Sequence, residues 1–135
     1  MGRRPKVFGR RTGERTVEGR HDGFGESAMH RRSLRLVAPG CLAWSDSVVG
    51  SIEVPVTVRT GLSAGCEAAV SGTTARIRTA SGRAFTLYAP EGGALRIEDG
   101  WACERFGVAR RRPVVVWTGL GGRDREHPFR LARDS

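Results

Sequence analysis

The sequence has little that could build helices, metal sites or a membrane span. No window of its 135 residues repeats apolar side chains at helical spacing for three turns. Cys41, Cys66 and Cys103 lie far apart without a C-x-x-C pair, which argues against a structural zinc site. We expect three free, buried thiols, with one disulfide and a leftover thiol as the alternative. No apolar run reaches the length of a signal peptide or membrane-spanning helix, so we expect no export signal in the chain as written and no membrane partner.

Lysine is nearly absent as well. Lys6 is the only one, so arginine supplies almost all of the formal net charge of +9. Charge of this size favours polyanions such as nucleic acid, acidic polysaccharide or a membrane surface. The arginine bias fits a G+C-rich coding sequence equally well. The arginines are also spread along the chain as single residues and short runs, among them those at residues 31–32 and 110–112, so charge alone does not choose a partner.

What the sequence does contain is alternation of apolar and polar side chains, clearest at residues 75–79 and 84–88. Its 19 glycines and 6 prolines place turn signals between short segments. This pattern predicts an all-β protein folded as an antiparallel β-sandwich, and we expect an incomplete piece of a larger sandwich. We divide the chain into a basic arm or strand remnant over residues 1–14 and a single sandwich domain over residues 15–135.

The stretch over residues 17–50 organises the chain, because it predicts a glycine-rich loop followed by a hairpin. The first strand ends in the apolar residues Leu34, Leu36 and Val37. Pro39 fixes φ and Gly40 supplies positive φ, which favours a turn, and apolar side chains alternate on the return strand. Further along, Pro55 lies in a β-branched run. Since proline cannot donate to a ladder, we predict an edge or bulged strand there.

The residues of this stretch resemble the C-terminal β-domain of heparinase II/III-like polysaccharide lyases. That family has an H-D-G-Y loop, then H-R-R, a strand, and a v-x-D-x-v-x-G return. The corresponding residues here are H-D-G-F at 21–24, H-R-R at 30–32 and D-S-V-V-G at 46–50. Phe24 stands where the family has tyrosine.

The C-terminal third carries a second part of the resemblance. Residues 99–108 look like the family's G-W-x-S-x-x-Y-G-v segment, with Phe106 in place of its tyrosine. Residues 112–117 are similar to the strand that follows, and residues 127–131 to a closing strand. The resemblance covers about residues 17–131. It rests on the order and spacing of these motifs taken together.

The resemblance implies a part of an enzyme that eliminates across a uronic acid, which needs a base, an acid and a group that neutralises the carboxylate. In the family these groups and the metal ligands come mainly from a helical toroid and the first β-strands, which precede the segment seen here. This chain has no H-N-T-like motif, and its only tyrosine, Tyr88, lies in a strand pattern. We therefore expect no catalytic residue, no metal site and no cofactor in this chain.

The function that the resemblance implies is support of the catalytic region and lining of one side of a uronate-polysaccharide cleft. The partner is then an acidic polysaccharide, met in the context of a full-length lyase, and the chain alone is expected to be inactive. Whether it counts as an enzyme stays open. Its compartment is also unassigned, although the resembled family is often periplasmic or secreted.

Four side chains are candidates for contact with the polysaccharide: His21, Arg31, Arg32 and Trp101. His21 could contact substrate or form an oriented acid–base pair with Asp22, or it could fix its own turn by bonding a backbone carbonyl. Strand alternation places Arg31 and Arg32 on opposite faces, so at most one faces a groove, and a solvated face is the alternative for both. Trp101 lies in a predicted loop and is the tryptophan best placed for a ligand surface.

The other histidines and tryptophans are expected to be structural. His30 begins a strand, where a hydrogen-bonded structural histidine is favoured. His127 precedes a proline and is predicted to be exposed and without a role. Trp44 and Trp117 have apolar neighbours, which favours core packing over sugar stacking.

Two other interpretations remain open. An arginine-rich β-module could bind nucleic acid non-specifically through its basic surface, although no row of interleaved aromatic residues supports a stacking platform. An orphan structural domain without a ligand is the third possibility. In a truncated sandwich, the sheet edge beside residues 15–18 would be unpaired, and self-association through that edge is expected.

Overall fold

The structure is a computed structural model that describes residues 4–25 and 28–135. Within these residues the chain consists of strands and turns, without a helix. The strands are β1 Val7–Gly13, β2 Thr16–His21, β3 Met29–Ala38, β4 Cys41–Val49, β5 Val54–Gly61, β6 Glu67–Ser71, β7 Thr74–Arg78, β8 Ala84–Tyr88, β9 Ala94–Arg105, β10 Val108–Gly121 and β11 Glu126–Arg133.

The strands form two antiparallel sheets. The larger sheet has the order β1-β2-β3-β4-β11-β8-β7-β6, and the smaller has the order β5-β10-β9. The sheets pack face to face around one apolar core, so the prediction of an all-β antiparallel sandwich is confirmed.

The core is centred on aromatic side chains from both sheets. Trp44 and Phe129 are cross-strand neighbours on β4 and β11, and their rings stack with centroids 5.2 Å apart. Trp117 enters from β10 of the smaller sheet and meets Phe129 edge-on at 5.8 Å. The expectation that Trp44 and Trp117 pack in the core is confirmed, since both are buried.

The local predictions around the two prolines are also confirmed. Strands β3 and β4 form the expected hairpin, and Gly40 occupies its turn with φ of 75°. Pro55 lies on β5, which pairs with β10 alone among the described strands and so forms an edge of the smaller sheet. Proline has no backbone N–H to donate, but an edge strand pairs on one side only, so proline is tolerated there.

One segment that the sequence predicted as a loop is strand instead. Asp99, Gly100 and Trp101 lie inside β9, paired with residues 111–113 of β10, so the predicted loop at Trp101 is wrong. Gly100 is needed for close packing and not for a turn, because a Cβ there would come within 2.6 Å of Cγ2 of Val114. Gly119 likewise lies within β10, where the indole of Trp117 covers it.

The N-terminal end of the larger sheet extends past the cover of the smaller one. Residues 7–13 form its edge strand β1 and pair with β2. Every residue of β1 is exposed, including those on the face that continues the core side of the sheet. The expectation of an unpaired sheet edge beside residues 15–18 is therefore wrong, because β1 pairs there and is itself the edge.

Candidate functional site

A cleft of about 540 Å³ opens between β3 and β4 of the larger sheet and the edge strand β5 of the smaller sheet. We call it the His30 cleft. Its lining comprises Phe24, Ala28, His30, Arg32, Asp46, Ser47, Val48, residues 54–59 and His127. Val48, Val54, Val56 and Val58 supply much of the apolar wall, and His30, Arg32, Asp46 and His127 converge from the larger sheet, an arrangement typical of a ligand site.

Strand register brings the polar groups together. On β3, His30 and Arg32 are two residues apart and therefore point to the same side of the sheet. Arg32 lies opposite Asp46 of β4, and His30 lies opposite His21 of β2. Three consecutive strands thus place His21, His30, Arg32 and Asp46 in one cluster on the face that turns toward the smaller sheet.

Asp46 is the centre of this cluster and is 2% exposed. Arg32 donates to it with both sides of its fork, Nε to Oδ1 at 2.7 Å and Nη2 to Oδ2 at 2.9 Å. His30 Nε2 is 2.7 Å from the same Oδ1. Burial on its own raises the pKa of Asp46, but the hydrogen bonds from His30 and Arg32 and the charge of Arg32 hold this pKa below its ordinary value of 3.8.

His21 and His30 extend the network as a chain of hydrogen bonds. The bond from Gly23 at its outer end determines which nitrogen of each ring carries the proton. The backbone N–H of Gly23 donates to Nδ1 of His21 at 3.1 Å, so a neutral His21 carries its proton on Nε2. That nitrogen is 3.1 Å from Nδ1 of His30, which must accept and thereby leaves His30 protonated at Nε2, facing Asp46. The hydrogen bonds from Gly23 through His21 and His30 therefore tie the residue 21–24 loop to the buried carboxylate of Asp46.

His127 contradicts its prediction, because it is buried and lies in the cleft. On β11 it is the cross-strand neighbour of Asp46 and therefore faces inward, against the ring of Trp117 at 4.6 Å. Its Nε2 has no hydrogen-bond partner among the described residues. Burial lowers the pKa of His127 below its ordinary 6.5, with Arg125 lowering it further and the charge of Asp46 acting in the opposite direction. His127 is therefore a neutral imidazole in the cleft.

The structure separates the four predicted contact residues. His21 and Arg32 belong to the cluster, and Arg32 lines the cleft. Arg31 lies on the opposite face of the larger sheet, 3.7 Å from Glu18 and 3.3 Å from Glu126. Trp101 is on the smaller sheet, outside the cleft, and is exposed. The separation of Arg31 from Arg32 follows the predicted strand alternation.

Two further expectations are settled by the geometry. The carboxylate of Asp22 accepts the backbone N–H of Lys6 at 2.6 Å, while the ring of His21 bonds Gly23 and His30, so no His21–Asp22 acid–base pair is formed. His21 does fix its turn, though it accepts from an N–H instead of bonding a carbonyl. The three cysteines are free as expected, but the expectation that they are buried is wrong, because Cys41 and Cys66 are half-buried and Cys103 is exposed.

The described residues contain neither a metal-binding cluster nor a helix that could span a membrane. Over residues 4–25 and 28–135, no group of three or more His, Cys, Asp or Glu side chains is arranged to hold a metal ion. The same part of the chain contains no helix of the length and apolarity that crossing a membrane requires.

Several solved structures share this fold. The heparan sulfate lyase HepC from Pedobacter heparinus superposes with a TM-score of 0.76 at 12% identity, over 95% of this chain and 22% of that one. The Heparinase III-BT4657 gene product superposes with a TM-score of 0.72 at 20% identity, over 96% of this chain and 21% of that one. The chain thus spans about a fifth of the length of these structures. A search of curated proteins finds no match.

A family model described as heparinase II/III-like, C-terminal, matches residues 1–126. The match covers the loop at residues 21–24, the hairpin that carries the Arg32–Asp46 pair, and the β9–β10 segment. The resemblance drawn from those motifs is confirmed. The chain belongs to the heparinase II/III-like C-terminal family.

Proposed function

We propose that this chain is the C-terminal β-sandwich portion of a polysaccharide lyase, where it supports the catalytic region and lines one side of a cleft that holds a uronate polysaccharide. The His30 cleft is the surface that faces the polymer. The partner is an acidic polysaccharide, in line with the heparan sulfate lyase among the structural relatives.

The observation that carries this proposal is the way Arg32 is held at the cleft. Its Nε and Nη2 are fixed by the buried carboxylate of Asp46, whereas Nη1 has no hydrogen-bond partner among the described residues. The Arg32 side chain is 39% exposed, so its free edge reaches the cleft. A guanidinium offers planar donors that suit a carboxylate, and one that is already oriented loses little entropy on binding.

The cleft's own groups favour binding over catalysis. Both ring nitrogens of His30 are engaged, and the carboxylate of Asp46 is committed to Arg32 and His30. Tyr88 lies on β8 beneath the guanidinium of Arg130, away from the cleft lining. We infer that the base and acid of the elimination are supplied by another part of the lyase.

We expect the purified chain to bind a heparin-derived oligosaccharide without cleaving it. Binding follows from Arg32 and the cleft, and the absence of cleavage follows from the engaged state of the histidine relay. Equilibrium dialysis measures the binding, and ultraviolet absorbance of unsaturated uronate measures cleavage. A saturable rate of product formation that His21→Ala abolishes would contradict the proposal and make His21 catalytic.

A further inference from the structure

The smaller sheet ends at β5, and one edge of this strand faces the His30 cleft. Among the described strands, β5 pairs with β10 alone. Residues 54–59 all line the cleft, although the side chains of successive residues point to opposite faces of a sheet. Consecutive residues line one cleft together where the edge of the strand, and not one of its faces, forms the wall. The cleft is therefore bounded by main-chain atoms of β5.

The β5–β10 ladder determines which main-chain groups face the cleft. In an antiparallel pair, alternate residues direct both their N–H and their C=O toward the partner strand or away from it. The N–H of Leu62 donates to the C=O of Pro113 at 3.0 Å, and this pair continues the β5–β10 register. The even-numbered residues of β5 are thus bonded to β10. Thr57 and Arg59 each direct an N–H and a C=O away from β10.

These outward groups are available to a ligand. Within the part of the chain that the structure describes, no strand pairs with β5 on this side and no turn or loop group bonds the main chain of Thr57 or Arg59. Val58 is buried in the core, so the neighbouring Arg59 side chain points to the outer face of the smaller sheet, where it bonds Glu98. Arg59 therefore faces the cleft with its main chain and not with its guanidinium.

We propose that this free edge, which we call the β5 wall, is a second binding surface within the His30 cleft. The N–H groups of Thr57 and Arg59 hold oxygen atoms of the same uronate polysaccharide whose carboxylate meets Arg32, a choice of polymer that rests on the proposed function. Carboxylate, sulfate and hydroxyl oxygens all accept from an N–H, and the C=O groups of the wall accept from sugar hydroxyls. The wall thus reads the polymer without a charged side chain of its own.

A saccharide fits the β5 wall better than an added β-strand does. An added strand needs a continuous row of donors and acceptors, and Pro55 interrupts that row because it has no N–H. Sugar hydroxyls need no regular row, and Arg32 supplies the positive charge that suits a uronate. Asp46 is the one carboxylate in the described lining, and it is already paired with Arg32 and His30. An acidic polymer therefore meets no unpaired negative charge there.

Exchange of backbone amides with solvent tests the proposal on the full chain. In the free chain, the amides of Thr57 and Arg59 should exchange quickly, whereas those of Val56 and Val58, which are bonded to β10, should exchange slowly. A heparin-derived oligosaccharide at about ten times its Kd should slow exchange at Thr57 and Arg59 roughly tenfold, because these amides then exchange only in the unbound fraction. Nuclear magnetic resonance of the isotope-labelled chain measures each amide separately.

A proline substitution removes one donor of the wall. Thr57→Pro deletes an N–H that β10 does not use, so the ladder keeps its hydrogen bonds. We expect this variant to bind the oligosaccharide about fivefold more weakly than the parent, which corresponds to roughly 1 kcal/mol for one hydrogen bond. Thr57→Val keeps the N–H and should bind about fivefold more tightly than Thr57→Pro. Equilibrium dialysis measures the affinities.

Gly9→Pro is the matched control. In the β1–β2 register the N–H of Asp22 donates to the C=O of Lys6 at 3.3 Å, so Gly9 also directs its N–H away from the one strand with which β1 pairs. Gly9 lies outside the His30 cleft, and its replacement should leave the affinity unchanged. Thermal melts show whether both proline variants fold. The exchange measurement on the parent chain decides the proposal if Thr57→Pro does not fold.

The possible results separate failure of the β5 wall from failure of the proposed function. Oligosaccharide that shifts His30 but leaves exchange at Thr57 and Arg59 unchanged would overturn the wall alone, as would equal affinities of Thr57→Pro and Gly9→Pro. Slow exchange of both amides in the free chain, slower still at higher protein concentration, would show that a second copy adds a strand there instead. Absence of any oligosaccharide binding would overturn the proposed function as well.

Discussion

Replacement of Arg32 by methionine is expected to lower the free energy of unfolding by about 3 kcal/mol, although the side chain is partly exposed. The cost arises at Asp46, which is 2% exposed and would keep only His30 as a partner for its charge. Loss of the guanidinium would also raise the pKa of Asp46 from its lowered value, because burial would then be opposed by His30 alone. Urea unfolding at pH 7 measures the change.

Arg31→Met is the matched control for this prediction. Arg31 is the adjacent arginine on the same strand, but its ion pairs with Glu18 and Glu126 lie on the solvent face of the larger sheet. Exposed pairs contribute little, so we expect a loss of at most about 1 kcal/mol. Equal losses for Arg31→Met and Arg32→Met would show that the pairing of Arg32 with the buried carboxylate of Asp46 stabilises the fold no more than a surface ion pair does.

The second large effect is expected on acidification, in two steps. Because the pKa of His127 is lowered in the folded state, the unfolded chain binds the proton more readily, and stability falls as the pH drops below about 6.5. Because the pKa of Asp46 is lowered as well, its contribution is present above 3.8 and is lost as the pH falls further through its folded value. Urea unfolding at a series of pH values from 7 to 3 follows both steps.

His127→Gln separates the two steps. Glutamine does not titrate, so the variant should lose the decline between pH 7 and pH 5 that His127 causes, whatever its stability at pH 7. The steeper loss at lower pH should remain, because Asp46 and its partners are unchanged. A wild-type protein that grows more stable between pH 7 and pH 5 would contradict the assignment of a buried, neutral His127.

Features set by neighbouring residues could be predicted from the sequence. The β3–β4 turn follows from Pro39 and Gly40, which fix the backbone locally. The turn alone does not set the register of the Arg32–Asp46 pair. Ala38 and Cys41 flank the turn, and regular pairing from them would place Arg32 opposite Ser47, but a register shift between Leu36 and Ala38 brings Asp46 opposite Arg32 instead.

Features set by pairing between distant strands could not be predicted in this way. His127 is buried because β11 pairs with β4 in the larger sheet. That pairing depends on the order of all the strands in the sheet and not on the residues next to His127 in the sequence. Trp101 was placed in a loop because Gly100 precedes it. That glycine instead makes room for Val114 on the neighbouring strand. A glycine signals a turn or close packing equally well until its partner strand is known.

The central claim is that the His30 cleft faces a uronate polysaccharide. The most direct measurement is a titration of the isotope-labelled full chain with a uronate oligosaccharide, followed by backbone nuclear magnetic resonance. We predict saturable shifts at Phe24, His30 and Thr57, which line the cleft, and none at Arg76 of β7, which lies outside it. Shifts confined to residues outside the cleft, or no shifts at saturating oligosaccharide, would contradict the account.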